Sequence, residues 1–174
     1  MLIVNRCLPQ GQGLAPSLIR RSPCLTLDWD TRQKSRFEGV DSEGRRVAVY
    51  LPRGTVVRGG DVLLTQCNQW VKVQAAPQGV LRITVDPNHG NTFDLMRAAY
   101  HLGNRHVPIE LSPEGLQIEP DHVLAELLRS WRLVVEQTCA PFEPEGGAYG
   151  DNAMLGHAHG HGHPHEHGPG HSHP

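Results

Sequence analysis

The chain has 174 residues, of which 38% are hydrophobic and 20% are charged, a composition that suits a soluble protein with one core or two small ones. The formal net charge of −2 lacks the basic excess that drives nucleic-acid binding, so we expect no nucleic-acid partner. The apolar start, Met1–Val4, is too short for a secretory signal, and no apolar run reaches membrane-spanning length. These features predict a cytoplasmic protein with no membrane partner.

The first half of the chain has the short, alternating pattern of β-strands, separated by turn-forming residues such as Gly59-Gly60-Asp61. Asp28 and Asp30 flank Trp29 on a further expected strand, where we interpret both as solvated acids. We predict a small all-β domain over residues 1–76. Its clearest strands are Leu2–Leu8, Arg36–Val40, Arg46–Leu51, Val62–Thr65 and Trp70–Gln74.

The second half mixes strand and helix patterns. One helix is capped by Asn91 or Thr92, stops at Gly103 and is recognised by apolar residues at 3–4 residue spacing; the other opens at Asp121. The order β-α-β-β-α-β predicts a ferredoxin-like domain over residues 77–142, and hence an α+β protein. The apolar residues of the two helices are Phe93, Met96, Ala99 and Tyr100, then Leu124, Leu127, Leu128 and Trp131. The strands are expected at Leu81–Val85, Val107–Leu111, Leu116–Ile118 and Leu133–Thr138.

Residues 143–174 are rich in Gly, Pro and His and contain too few apolar side chains to bury, so we predict a disordered tail. Neutral imidazoles bind nickel, copper and zinc, and small spacers let several rings turn toward one ion. The spacing is irregular, unlike that of a purification tag. The tail therefore predicts metal binding, without identifying the metal, through His157, His159, His161, His163, His165, His167, His171 and His173.

Four further histidines lie in the body of the chain. His89 is expected in a solvated turn and His101 near the end of the first helix of the second half. His122, in the first turn of the other helix, is favoured in its neutral form there and is a candidate ligand. His106 is expected to start a strand, where a surface role and a ligand role both stay open. The four cysteines have no C-x-x-C pair and are interpreted as reduced thiols.

Several strings of residues resemble one known family in the right order over nearly the full length. The two most specific are Tyr100-His101-Leu102-Gly103-Asn104-Arg105-His106 and Pro141-Phe142-Glu143-Pro144-Glu145. Others are Lys34-Ser35-Arg36, Leu51-Pro52-Arg53-Gly54, Arg58-Gly59-Gly60-Asp61-Val62-Leu63, Asp121-His122-Val123-Leu124 and Gly147-Ala148-Tyr149. Through these strings the chain resembles the UreE family of urease accessory proteins, which are nickel metallochaperones.

The resemblance implies a first domain for peptide or partner contacts and a second, metal-binding domain that forms a homodimer. It implies that His106 pairs with its copy across the dimer axis, and that Ni²⁺ passes to the urease apoprotein complex together with the accessory GTPase UreG. Zn²⁺ and Cu²⁺ are ions that the same ligands can hold in vitro. Some family members have a His-x-His pair where this chain reads Pro120-Asp121-His122, so His122 stands alone.

Two other functions compete with a nickel chaperone. A general store or buffer of divalent ions would bind through the tail alone, and a protein-interaction module would keep its partners when the metal is chelated. An enzyme is not expected, because the chain has no G-x-S-x-G elbow and no phosphate-binding loop, and Gly11-Gln12-Gly13 fails the dinucleotide fingerprint.

Overall fold

The computed structural model describes residues 1–146, so the tail histidines lie outside the described residues. In the first half, six strands form one sheet in the order β2-β6-β5-β1-β4-β3, with β1 parallel to β4 and β2 parallel to β6. Its elements are β1 (Leu2–Leu8), a 3-10 turn (Pro9–Gly11), α1 (Pro16–Arg21), β2 (Cys24–Leu27), α2 (Trp29–Arg32), β3 (Arg36–Val40), β4 (Arg46–Tyr50), β5 (Val62–Thr65) and β6 (Trp70–Ala75).

The clearest expected strands of the first half are confirmed to within one residue, but none of the four short elements between β1 and β3 was predicted. The predicted strand around Trp29 is wrong, because Trp29 begins α2 and Asp28 is its N-cap. The Asp28 carboxylate accepts a 2.8 Å hydrogen bond from the Thr31 N–H, and hydrogen bonding with the side chain and then the backbone of Thr31 lowers the pKa of Asp28. The first half is therefore mainly β, with short helices between its strands.

The second half forms a separate antiparallel sheet in the order β10-β7-β9-β8. Its helices and strands alternate in the predicted order, β-α-β-β-α-β. The elements are β7 (Pro77–Val85), α3 (Thr92–Asn104), β8 (Glu110–Ser112), β9 (Gly115–Ile118), α4 (His122–Ser130) and β10 (Leu133–Pro141).

Both helices cover the same face of this sheet. The apolar residues of α3 and α4 share one buried cluster with alternate residues of three strands. The members of this cluster are Leu81, Ile83, Ala98, Leu102, Ile109, Leu116, Ile118, Leu124, Ala125, Leu128, Leu133 and Val135.

Several boundaries in the second half differ from the prediction, among them the start of β7, which lies at Pro77 and not at Leu81. The expected strand Val107–Leu111 begins only at Glu110, because Val107 donates its N–H to the Leu102 carbonyl and Pro108 has no N–H to donate. Helix α3 runs past Gly103 to Asn104. Strand β10 continues to Pro141, because its antiparallel pairing with β7 extends to Pro77.

The predicted start of the disordered tail at Glu143 is also corrected. The Glu143 N–H donates to the Glu110 carboxylate at 2.7 Å, and the Glu145 N–H donates to the Ile109 carbonyl at 2.8 Å. Residues 143–145 therefore lie against the body of the protein, alongside the segment that leads into β8. Among residues 1–146, no helix has both the length and the apolar character needed to cross a membrane.

A third small cluster joins the two sheets. Trp29 and Phe142 meet edge to face, with ring centroids 6.2 Å apart, and Val80 of β7 is buried beside them. Because β7 starts directly after β6, and residues 142–145 return from β10 to the first half, the chain passes this junction in both directions.

Candidate metal centre

The candidate centre begins with α3, which is well specified at its start. The Asn91 side chain accepts from the Phe93 N–H at 2.8 Å, and the Asp94 carboxylate accepts from the Asn91 N–H at 3.0 Å, so the two form a capping box. Asp94 also receives a hydrogen bond from Arg97 at 3.1 Å. This cap fixes where the helix begins, and therefore which residues lie at its other end.

His106 occupies the position at the end of α3 that is usually a glycine. Its φ angle is +57°, its N–H donates to the Gly103 carbonyl at 2.9 Å, and the Val107 N–H donates to the Leu102 carbonyl at 3.1 Å. These two bonds form a Schellman motif, in which the left-handed residue is most often glycine because a Cβ is disfavoured there. The expectation that His106 starts a strand is wrong: it terminates the helix.

The His106 side chain is exposed, and the turn that carries it lies between two residues of the core, Leu102 and Val107. Val107, the next residue, packs against the buried core together with Leu102. Leu102 and Val107 occupy the two positions whose apolar side chains commonly accompany a Schellman motif. The imidazole is therefore held at the surface by a turn whose neighbouring residues are anchored in the core.

An apolar strip on α3 lies on the face opposite the core. Phe93, Met96 and Tyr100 are 63%, 58% and 65% exposed, although their spacing was the sequence signal for the helix. The buried positions are instead Asp94, Ala98 and Leu102, which lie on the other side of the helix. The exposed strip ends near Gly103, at the turn that carries His106.

The other body histidines lie on the surface apart from this turn. His101 contacts two aromatic rings, Tyr100 edge to face with ring centroids 5.2 Å apart and Trp131 at a tilt with centroids 5.1 Å apart. His122 is the first residue of α4, where the Asp121 carboxylate accepts from the N–H groups of Val123 and Leu124. His89 lies in the expected turn, with its Nδ1 3.6 Å from the Asp86 carboxylate.

Within residues 1–146, no three side chains of His, Cys, Asp or Glu converge closely enough to hold a metal ion. The described part of the chain thus does not unite His106 and His122 in a cluster of that size. The cysteines are all free thiols. Burial, and then the neighbouring charge of Asp61, raise the pKa of Cys7 to about 12, so Cys7 stays a protonated thiol at neutral pH.

The segment 143–145 is the part of this region that sequence reasoning missed. It runs beside Ile109 and Glu110, three and four residues beyond His106. The signal that could have located it was the Pro141-Phe142-Glu143-Pro144-Glu145 string, which reads as loop by composition alone.

Comparison with known proteins gives full-length matches. The family model described as "UreE urease accessory protein, N-terminal domain" matches residues 4–76, and that for the C-terminal domain matches residues 78–173. The chain is 64% identical to a "Urease accessory protein UreE" of Albidiferax ferrireducens over 159 residues, which cover 91% of this chain and 90% of the relative.

Two other relatives carry the same description. The chain is 65% identical to a protein of Paracidovorax citrulli over 149 residues, which cover 86% of this chain and 71% of the relative. It is 58% identical to a protein of Methylibium petroleiphilum over 156 residues, which cover 90% of this chain and 72% of the relative. In each case the similarity extends over both halves of the chain.

Proposed function

The chain belongs to the UreE family of urease accessory proteins, an accessory chaperone family with a role in urease maturation and not an enzyme family, and from this membership we propose that it is a nickel metallochaperone. In this proposal the protein binds Ni²⁺ as cargo and delivers it to the urease apoprotein complex, together with the accessory GTPase UreG. The cytoplasm, where its partners would be made, is the proposed location.

The single observation that carries the proposal is the left-handed conformation of His106. A residue with a Cβ costs about 1–2 kcal/mol in this region, whereas glycine would occupy the turn without that cost. Gln10, Asn68 and Arg132 adopt the same conformation, but among these four residues only His106 offers an exposed imidazole that can bind Ni²⁺. His106 is therefore proposed as the principal metal ligand of the body of the protein.

A homodimer supplies the second ligand in this proposal. The exposed strip of Phe93, Met96 and Tyr100 is an apolar surface that a second copy of the chain would cover. In a twofold dimer the same surface faces itself, so the two strips would meet and the two copies of His106 would approach across the axis. The ion would then have two imidazole ligands from the body and several open coordination positions.

The tail histidines are proposed to complete the coordination. Ile109 is at most about 10 Å along the chain from His106, and the twelve residues from Glu145 to His157 can span up to about 40 Å. Since Glu145 is hydrogen-bonded to Ile109, the tail histidines are within reach of an ion bound at His106. A site completed by exchangeable imidazoles can release its ion, unlike a structural zinc site closed by four fixed ligands. His122 is retained as a peripheral ligand.

The domain division belongs to the same proposal. We assign residues 1–76 to a partner-binding domain, residues 77–142 to a ferredoxin-like metal and dimerisation domain, and the following residues to a His-rich tail. The family models support a boundary near residue 77, and the sheet order β10-β7-β9-β8 with both helices on one face supports the ferredoxin-like class.

The test compares nickel binding by the full chain, by His106→Asn and by a chain truncated after Gly150. Asparagine tolerates the left-handed region better than alanine does, so His106→Asn removes the imidazole while keeping the turn. We expect the wild-type chain to have one tight site per dimer that His106→Asn abolishes, while weaker tail sites remain. The truncated chain should keep the dimer, lose the weaker sites and bind the ion of the tight site less firmly, because the tail imidazoles no longer complete it. His89→Asn is the matched control.

Two measurements decide between the functions. Calorimetric titration with Ni²⁺ and sedimentation count the sites and the subunits, and the same proteins are then added to urease apoprotein with the GTPase. A chaperone raises the fraction of urease that becomes active, and His106→Asn reduces that gain. If His106→Asn leaves the tight binding unchanged and the truncated chain binds nothing, the storage alternative is correct.

A further inference from the structure

The junction between the two halves contains a fully buried cation. Arg32, in α2, has 0% of its side chain exposed. Its Nε donates to the Leu27 carbonyl at 3.2 Å, its Nη2 to the Phe142 carbonyl at 2.6 Å and its Nη1 to the Glu143 carboxylate at 2.7 Å. A buried guanidinium is retained only where its donors are satisfied, so these contacts fix Phe142 and Glu143 relative to the first half.

Glu143 is held by more than this ion pair. Its Oε1 also accepts from the Gly59 N–H at 2.7 Å, and its Oε2 lies 3.5 Å from the Arg58 guanidinium. A Cβ placed on Gly59 would lie 2.6 Å from Oε1, so only glycine lets the carboxylate approach this backbone. We refer to Arg32, Arg58, Gly59 and Glu143 as the Glu143 clamp.

Aromatic rings cover the clamp. The guanidinium groups of Arg32 and Arg58 lie 5.2 Å and 4.9 Å from the centroid of the Trp29 ring, and Phe142 packs edge to face on Trp29. Arg58 also donates to the Pro144 carbonyl, one residue beyond the carboxylate. The clamp thus consists mainly of residues of the first half, and it fixes the position of residues 142–144.

The same residues contact the second half on their other side. The Glu143 N–H donates to the Glu110 carboxylate, and the Glu145 N–H donates to the Ile109 carbonyl. Residues 107–109 lie between the end of α3 and the start of β8 and belong to no strand. The hydrogen bonds of Glu143 and Glu145 therefore support the segment that follows His106 from its outer side.

We propose that Glu143 and Arg32 are positioning residues for the metal ligand His106, so that the first half of the protein supports the nickel site without touching it. This inference rests on the proposed function. The physical path runs from Arg32 through the Glu143 carboxylate to the Glu143 and Glu145 N–H groups, and from these to Glu110 and Ile109. Val107 and Ile109 are also held by the core, so releasing the clamp removes the outer support of this segment and loosens it, and a less ordered ligand binds its ion less tightly.

Two variants open the clamp in different ways. Gly59→Ala places a methyl group against Oε1 and displaces the carboxylate without changing any charge. Glu143→Gln keeps the shape of the side chain but removes the negative charge opposite Arg32. The matched controls are Gly79→Ala, where the nearest atom to a new Cβ is 3.6 Å away, and Glu136→Gln, an exposed carboxylate of β10.

The measurement is calorimetric titration of each full-length chain with Ni²⁺, followed by the pH at which half of the tightly bound nickel is released. We expect both clamp variants to weaken the tight site by at least about threefold, by analogy with residues that orient metal ligands. A weaker site loses the competition with protons earlier, so release shifts to higher pH. The weak tail sites serve as an internal control and should stay unchanged. In the control variants, the affinity of the tight site and the pH of nickel release should also stay unchanged.

A purely structural clamp would give a different pattern. In that case Gly59→Ala and Glu143→Gln would lower the melting temperature but leave the tight affinity and the release pH within about twofold of wild type, and the inference would be overturned. If Gly59→Ala does not fold, Glu143→Gln alone decides. In the His106→Asn background the clamp variants must have no effect on nickel binding. A wild-type chain with no His106-dependent site would defeat the proposed function itself.

Discussion

Glu119, which follows β9, and Asp30, in α2, repel each other across the junction between the two halves of the chain. Burial raises the pKa of Glu119 first, and the negative charge of Asp30 raises it further, while a 3.4 Å hydrogen bond from Gln78 acts in the opposite direction. The junction therefore combines a strong attraction, Arg32 with Glu143, with a repulsion between two carboxylates.

Glu119→Gln should stabilise the protein at neutral pH. Since the pKa of Glu119 is raised in the folded state, its contribution is favourable below its ordinary pKa and is lost as pH rises through the folded value. At pH 7 the charged form is therefore a net cost, which we expect to be about 0.5 kcal/mol for this partly exposed group. Thermal unfolding at pH 7 should show the gain, and the difference from wild type should vanish near pH 4.

The control for this experiment is Glu126→Gln, an exposed carboxylate of α4. It should leave the melting temperature nearly unchanged at both pH values. An equal gain from Glu126→Gln would show that the effect reflects total charge and not the contact between Glu119 and Asp30.

Substitutions at His106 should reverse the usual order of alanine and glycine. At +57° a Cβ is disfavoured, so the metal-free His106→Gly chain should be more stable than His106→Ala by about 1 kcal/mol. At Gly103, inside α3, a new Cβ meets no atom, and Gly103→Ala should stabilise the protein by about 0.5–1 kcal/mol. Urea unfolding at one fixed protein concentration, with a chelator present, measures both comparisons. Equal stability of the two His106 variants would argue against the left-handed turn.

The thiols should differ sharply in reactivity. The thiolate is the reactive form, and a pKa of about 12 leaves almost none of it on Cys7 at pH 8. Cys67 and Cys139 are exposed. We expect iodoacetamide to label these two residues in the native protein and to label Cys7 only after unfolding, as read by mass spectrometry of peptides. Rapid native labelling of Cys7 would contradict its contact with Asp61.

Nickel should be lost from the tight site between about pH 7 and pH 5, because imidazole ligands must be neutral to bind and protons compete with the ion. Equilibrium dialysis at a series of pH values measures this loss. The His89→Asn chain, altered in a turn that is not proposed to bind metal, should give the same curve. A flat profile over this range would exclude imidazole ligands.

Much of the fold could be predicted from local patterns. Short strand-like runs between turn residues identified β1, β3 and β5, and Asp121 was correctly expected to open α4, because local sequence determines each of these elements. The short helix at Trp29 escaped detection because four residues carry almost no periodicity. Its N-cap, Asp28, looked like a solvated acid.

The features around the candidate site were harder to predict. Spacing alone finds an apolar face of α3 but cannot tell whether that face is buried, and Phe93 is exposed. The sequence predicted that α3 ends at Gly103, whereas the left-handed residue that terminates it is His106. A histidine in a left-handed turn has no sequence signature. The contact between Arg32 and Glu143 joins residues 111 positions apart, which no local pattern reveals.

The edge-to-face pair of Trp29 and Phe142 has a practical consequence for work on fragments of this protein. A fragment subcloned from residue 77 would carry Phe142 and Val80 without their apolar cover, and Glu143 without its guanidinium. Such a fragment is expected to self-associate through this bare surface, so its oligomeric state would misreport that of the intact chain. Replacing Phe142 with a polar residue in the fragment should reduce this self-association, so that its oligomeric state again matches that of the intact chain.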